Sequence, residues 1–177
     1  MTKYVALLRG INVGGHHKVP MAELRVALEK LNLKNVMTLL NSGNVLFESD
    51  GSDLENTIEE HLEKTFGFPI PTILRKYKTI LALYANNPFK NIKVTKETRL
   101  YVSFLKNEVD TDLELPYKSE DHSFEIIEKR NSTICSVLDL SVSKTPKAMD
   151  ALEKFYGKEL TTRNWNTIER IVKKATE

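Results

Sequence analysis

The chain has 177 residues, of which 41% are hydrophobic and 28% are charged, a composition typical of a globular protein rather than a disordered one. No run of 18 apolar residues occurs, which excludes a transmembrane helix, and the single cysteine, Cys135, excludes an internal disulfide and a multi-cysteine zinc site. The net charge is only +2, so charge gives no argument for bulk binding to nucleic acid. A lone thiol indicates a reducing compartment, and the apolar stretch near the N-terminus is too short for a signal peptide.

The first half of the sequence predicts the order β-α-β-β-α-β, the split βαβ arrangement of ferredoxin-like folds. Short apolar runs predict the strands, and apolar residues spaced three and four apart predict the helices. Residues 41–44 form a tight turn in which we expect Gly43 and Asn44 to have positive φ. A capping box of Ser52 and Glu55 predicts the start of the second helix. The predicted strands cover residues 3–9, 36–40, 45–48 and 70–76, and the helices follow Pro20 and Ser52.

The second half predicts a similar order, with a degraded first helix and an additional helix at the C-terminus. A short helix at 77–86 precedes it, and the last two helices begin at Thr145 and near Trp165. The predicted strands cover residues 99–106, 124–128 and 133–138. We therefore expect an α+β fold of two ferredoxin-like halves with an added C-terminal helix. The expected domains are residues 1–86, with a glycine-rich loop, and residues 87–177.

The glycine-rich loop at residues 10–18 lies between a strand and a helix, where backbone amides commonly bind phosphate. Neither the Walker A pattern nor the G-x-G-x-x-G pattern is present, because His16 and Asn12 occupy positions that those patterns reserve for other residues. Two interpretations remain open. The glycines serve only a tight turn, or the loop holds an anionic ligand with help from Arg9 and Lys18.

Two further polar segments have a structural and a functional interpretation. The residue types at 41–44 are those of an ordinary hairpin turn. The turn contributes to a binding site only if the strand register brings it close to the loop at 10–18. Asn164 is a plausible helix cap, and Trp165 either packs or stacks on a base. Arg163 lies just before a predicted helix N-terminus, and three interpretations of it remain open. It forms an ion pair within the protein, it points into solvent, or it contributes to an anion site at the helix N-terminus. Adjacent His16 and His17 have no third ligand nearby, so no metal site is predicted.

Four segments together resemble a known family. They are Leu7-Leu8-Arg9-Gly10-Ile11-Asn12-Val13-Gly14-Gly15, Lys18-Val19-Pro20-Met21, Ser42-Gly43-Asn44-Val45 and Thr161-Thr162-Arg163-Asn164-Trp165-Asn166-Thr167. In this order, and over essentially the whole chain, they resemble the bacterial family catalogued as domain of unknown function 1697. The resemblance implies an α+β fold of two ferredoxin-like parts and a cytoplasmic bacterial protein. It implies no activity.

The leading hypothesis is a monomeric or weakly dimeric protein that binds a small anionic or nucleotide-like ligand, with no cofactor and no membrane partner. A nucleic-acid-binding module stays open, because RNA-recognition domains share this element order, although only Tyr4 and Phe47 are aromatic on the two central strands. An enzyme at the same site also stays open, with His17 as the candidate base and no assigned catalytic residue. The predicted ligand-binding residues are Arg9, Asn12, Gly14, Gly15, Lys18, Ser42, Asn44, Arg163, Asn164 and Trp165.

Overall fold

The structure, a computed structural model, describes all 177 residues and has a mixed α+β fold with five helices and two antiparallel sheets. The strands are β1 (Thr2–Leu8), β2 (Lys34–Leu39), β3 (Asn44–Ser49), β4 (Thr72–Lys76), β5 (Thr98–Leu105), β6 (Tyr117–Lys118), β7 (Phe124–Arg130), β8 (Thr133–Asp139) and β9 (Leu160–Asn164). The helices are α1 (Met21–Glu29), α2 (Leu54–Phe66), α3 (Tyr77–Asn86), α4 (Thr145–Tyr156) and α5 (Trp165–Lys174).

The chain divides into two units. The first unit contains Met1–Ala82 and Arg170–Glu177, and the second contains Leu83–Glu169. Within the first unit, Lys3 Nζ donates to the Ala175 carbonyl oxygen at 3.3 Å, which places a cation at the C-terminal end of α5, where the helix dipole favours it. The expected division into residues 1–86 and 87–177 stays a prediction.

The sheet of the first unit has the strand order β2-β3-β1-β4, with every neighbouring pair antiparallel. Alternate residues of β1 and β3 face α1 and α2, whose apolar stripes complete the core. Leu24 and Leu28 of α1 are fully buried, and each buried leucine contributes about 1.5–3 kcal/mol relative to exposure. The buried core residues are Ala6, Leu8, Ile11, Val19, Leu24, Ala27, Leu28, Leu33, Val36, Val45, Phe47, Ile58, Leu62 and Ile70.

The predicted capping box at the start of α2 is wrong. The N-cap is Asp53, which has φ +48 and makes no side-chain cap hydrogen bond. Glu55 instead accepts a hydrogen bond from the backbone of β4. The predicted end of this helix is confirmed, because Gly67 has φ +84 and its amide donates to the Glu63 carbonyl oxygen at 2.8 Å.

The sheet of the second unit has the strand order β6-β7-β8-β5-β9. Apart from the two-residue β6, this order repeats that of the first sheet, with β7, β8, β5 and β9 in the places of β2, β3, β1 and β4. The predicted degraded helix is absent, because no helix lies between β5 and β7. β9 was not expected as a strand. The ferredoxin-like description of each half stays a prediction.

The repetition extends to one residue on each sheet's last strand. Arg75 of β4 lies opposite Val5, and Arg163 of β9 lies opposite Val102. In both strands the guanidinium Nη1 donates to the carbonyl oxygen of the preceding residue, at 2.8 Å for Arg75 and 3.1 Å for Arg163. The two units therefore share a side-chain arrangement as well as a strand order.

The turn between β2 and β3 differs from the expectation in one residue. Gly43 has φ +82 as predicted, but the second residue with positive φ is Leu40, at +61, and not Asn44. A Cβ at Gly43 would lie 2.7 Å from Ile11 Cδ1 and 2.8 Å from Leu8 Cβ. Glycine is therefore required here both by backbone conformation and by space.

We expect Gly43→Ala to lower the free energy of unfolding by about 2–5 kcal/mol, the sum of left-handed strain of about 1–2 and overpacking of about 1–3. Gly15→Ala is the matched control, because Gly15 also has positive φ, at +76, but a Cβ added there would have no other atom within 4 Å. That variant should lose only the strain. Urea denaturation measures both, and equal losses would remove the steric argument.

Candidate functional site

The glycine-rich loop is a small hairpin. The Asn12 amide donates to the His17 carbonyl oxygen at 3.0 Å, and the His16 amide donates to the Val13 carbonyl oxygen at 3.1 Å. Between Val13 and His16, the two central residues Gly14 and Gly15 have φ +59 and +76, which is the pattern of a type I′ turn. Turn geometry alone therefore accounts for this glycine pair.

The Asn12 side chain holds the base of this hairpin. Its Oδ1 accepts from the Val19 amide at 2.8 Å, and its Nδ2 donates to the carbonyl oxygens of Val19, at 3.0 Å, and Asn41, at 2.8 Å. The Leu8 amide also donates to the Gly43 carbonyl oxygen at 2.9 Å. The strand register therefore brings the turn at 41–44 to the loop at 10–18, the point that the sequence left open.

The polar residues of the turn serve the turn itself. Asn44 is 1% exposed, and its Nδ2 donates to the Leu39 carbonyl oxygen at 2.9 Å and to Ser42 Oγ at 3.0 Å. This bonding closes the β2–β3 hairpin. Asn12 and Asn44 were predicted to bind a ligand through their side chains. Both side chains instead form hydrogen bonds within the protein that hold the loop and the turn.

The exposed part of the loop carries positive charge and unused amides. Gly14, Gly15 and Lys18 are exposed and Arg9 is half-buried, while the hairpin's backbone hydrogen bonds use neither the Gly14 nor the Gly15 amide. No acidic residue precedes Glu23 in the sequence. Amides and cations without neighbouring acids in the same segment form an environment that favours an anion.

His17 lies against the same loop. Its ring stacks on Phe68 with centroids 4.3 Å apart and an interplanar angle of 11°, and its Nδ1 is 3.3 Å from the Gly10 carbonyl oxygen. A backbone carbonyl oxygen at Nδ1 fixes the tautomer of a histidine as a carboxylate does, so this contact by itself assigns His17 no catalytic role.

The remaining predicted residues, Arg163, Asn164 and Trp165, belong to the second unit. Arg163 lies two residues before α5, as expected, but it also belongs to β9 and is 7% exposed. Its Nη1 donates to Thr161 Oγ1 at 2.7 Å, and burial lowers the pKa of its guanidinium to about 10. Asn164 is exposed, ends β9 and directly precedes α5.

Trp165 is a packing residue. It is 7% exposed, stacks on Tyr84 with ring centroids 6.0 Å apart and meets the edge of Phe89 at 5.2 Å. Its ring therefore has aromatic partners within the second unit, and the packing interpretation is the one that these contacts favour.

The nucleic-acid hypothesis needs exposed aromatic rings on the two central strands. In the first sheet those strands are β3 and β1, whose aromatics Phe47 and Tyr4 stack on each other with centroids 5.6 Å apart. Phe47 is 1% exposed and belongs to the core, and Tyr4 packs against that core. These two rings face the helices and offer no platform for bases.

No group of three His, Cys, Asp or Glu side chains is placed to hold a metal ion. Cys135 is buried, and burial raises the pKa of its thiol to about 12, so the thiolate needed for a reactive cysteine is disfavoured. No helix has the length and apolar character needed to cross a membrane.

We expect Asn12→Gly to lower the free energy of unfolding by about 1–3 kcal/mol, because three hydrogen bonds are lost while the positive φ of +55 stays accessible. Amide exchange at Val19 should accelerate in the same variant. Asn41→Ala is the control, since only the backbone oxygen of Asn41 takes part, and it should stay within about 0.5 kcal/mol of the wild type. We call the three hydrogen bonds of the Asn12 side chain the Asn12 clamp. An unchanged exchange rate of the Val19 amide in Asn12→Gly would contradict its role.

We expect Arg163→Ala to lower the free energy of unfolding by about 1–3 kcal/mol, because it empties a buried site and removes the partner of Thr161 Oγ1. Arg163→Lys should recover part of the loss, since lysine keeps the charge but lacks the planar fork of donors. Exposed Asn164→Ala serves as the neighbouring control. A melting temperature for Arg163→Ala equal to that of the wild type would show that burial of this arginine is not structural.

Comparison with known proteins finds a family and a solved structure. Residues 1–134 match the family described as "Protein of unknown function (DUF1697)". The solved structure of the conserved bacterial protein SP0830 from Streptococcus pneumoniae is similar, with 28% identity, 96% coverage of both chains and a TM-score of 0.69. No curated protein matches. Because the family match covers most of the chain, this protein belongs to the DUF1697 family of proteins of unknown function.

Proposed function

We propose that this protein binds a small anionic ligand, with a phosphate group as the recognised chemistry, at the loop of residues 10–18 in the first unit. The observation that carries the proposal is the exposed glycine turn, whose Gly14 and Gly15 amides are not used by the hairpin and whose flanks carry Arg9 and Lys18. Successive backbone amides in a turn conformation are a recurrent way of binding anions.

Preorganisation supports the same conclusion. The Asn12 clamp and the two backbone bonds across the hairpin fix the loop before any ligand arrives. A ligand binding to a loop that is already ordered loses less affinity to conformational entropy. Lys18 would act as a mobile point charge, and Arg9 would add a planar donor set.

A nucleotide-like ligand is included in the proposal through its phosphate. The His17 ring of the loop already stacks on Phe68, so stacking of a base on that ring is not part of the argument. Binding, rather than catalysis, is the function that the contacts of the loop support.

The test is thermal stabilisation of the purified protein by inorganic phosphate, sulfate and nucleoside phosphates. A ligand at 100 times its Kd adds about 2.7 kcal/mol to the free energy of unfolding. We expect Lys18→Gln to weaken this response and Lys64→Gln, which removes an exposed lysine from α2, to leave it unchanged. The proposal fails if no anion stabilises the wild type, or if Lys18→Gln responds as the wild type does.

A further inference from the structure

The outer edge of β4 is closed by side chains of α2. β4 is the last strand of the first sheet, and the Thr72 and Leu74 backbone groups point away from β1. Glu59 Oε1 accepts from the Thr72 amide at 2.8 Å, and Glu55 Oε2 accepts from the Leu74 amide at 2.9 Å. Arg75 Nη1 donates to the Leu74 carbonyl oxygen at 2.8 Å. Side chains therefore occupy the positions at which a further strand would bond.

The fit between helix and strand follows from their repeats. Glutamates four residues apart on a helix are separated by about 6 Å along its axis, since the rise is about 1.5 Å per residue. Amides two residues apart on one strand edge are separated by about 6.6 Å. The order is reversed, with Glu55 on Leu74 and Glu59 on Thr72, as an antiparallel helix and strand require.

The helix is fixed in the rotation that allows these contacts. Ile58 and Leu62 of α2 are fully buried in the core of the first unit. Glu55 and Glu59 flank this apolar stripe and are half-buried, in contrast to the exposed Glu60 and Glu63 of the same helix. The two carboxylates are therefore held at the edge by the packing of the helix.

An open strand edge is a template for pairing with another chain. An antiparallel edge strand can pair with the same strand of a second copy about a two-fold axis, because each offers the other the same groups. A hydrogen bond from an amide to a carboxylate is roughly twice as strong as one between neutral groups. A second copy must displace these two bonds and the contact of Arg75 with the Leu74 carbonyl oxygen.

We propose that Glu55 and Glu59 act as an edge guard that prevents β4 of one copy from pairing with β4 of a second copy of this chain, and so keeps the protein from self-association through this strand. This role accounts for the partial burial of Glu55 and Glu59 on α2. The proposal does not depend on the proposed anion site.

The experiment compares sedimentation of three double variants over a wide range of protein concentration. Glu55→Ala/Glu59→Ala should approach twice the monomer mass as concentration rises. Glu55→Gln/Glu59→Gln should stay at the monomer mass, because the amide oxygen of glutamine still accepts the backbone hydrogen bonds. Glu60→Ala/Glu63→Ala, with the same change in net charge, should also stay at the monomer mass.

The proposal is overturned if the folded alanine variant stays monomeric throughout, or if either of the other two variants associates equally. Amide exchange of the single variants covers the case in which the double variant does not fold. Glu59→Ala should accelerate exchange at Thr72 more than 10-fold while Leu74 stays unchanged, and Glu55→Ala should do the reverse. Unchanged exchange at both amides would equally overturn the guard.

Discussion

The hydrogen bonds of the Asn12 side chain are the constraint on which the candidate site depends. One planar amide supplies both an acceptor for the Val19 amide and a donor for the carbonyl oxygens of Val19 and Asn41. It therefore joins the start of the loop to its end and to the neighbouring turn. Val19 is 1% exposed and packs in the core, so the Asn12 side chain links an otherwise exposed loop to the buried core of the first unit.

The same geometry explains why the loop resembles a phosphate-binding loop without carrying either of the common patterns. A type I′ turn needs two residues with positive φ, and glycine adopts this conformation without strain. The turn consumes one hydrogen bond between Val13 and His16 and leaves the amides of Gly14 and Gly15 at the surface. One backbone conformation therefore satisfies the turn and leaves two amides exposed, and the proposed anion site would use these amides together with Arg9 and Lys18.

Local signals in the sequence predicted the elements well, and tertiary contacts decided the rest. Gly67 ends α2 and Trp165 begins α5 as expected, because a helix end or start depends on a few adjacent residues. Residues 160–164 looked like a polar approach to a helix, yet they form β9, because pairing with β5 outweighs their polarity. The meeting of the loop and the turn needed the register of Leu7 with Asn44, which no local pattern contains. The burial of Arg163 depends on long-range strand pairing in the same way.

In the acidic helix α2, the role predicted for Glu55 from sequence differs from its role in the structure. Glu55 fits a capping box, but its carboxylate serves the Leu74 amide, 19 residues further along the chain. Glu55 and Glu59 lie four residues apart on a helix that precedes an edge strand. This spacing matches the amides of such a strand, but a search for capping residues does not consider it. The repeated sheet order leaves an equivalent edge strand in each unit, because β4 and β9 each lie at the end of a sheet. Both strands have five residues. In both strands an arginine donates to the preceding carbonyl oxygen, so the same contact between side chain and backbone recurs on the last strand of each sheet. Short edge strands and charged side chains are devices by which proteins limit strand addition.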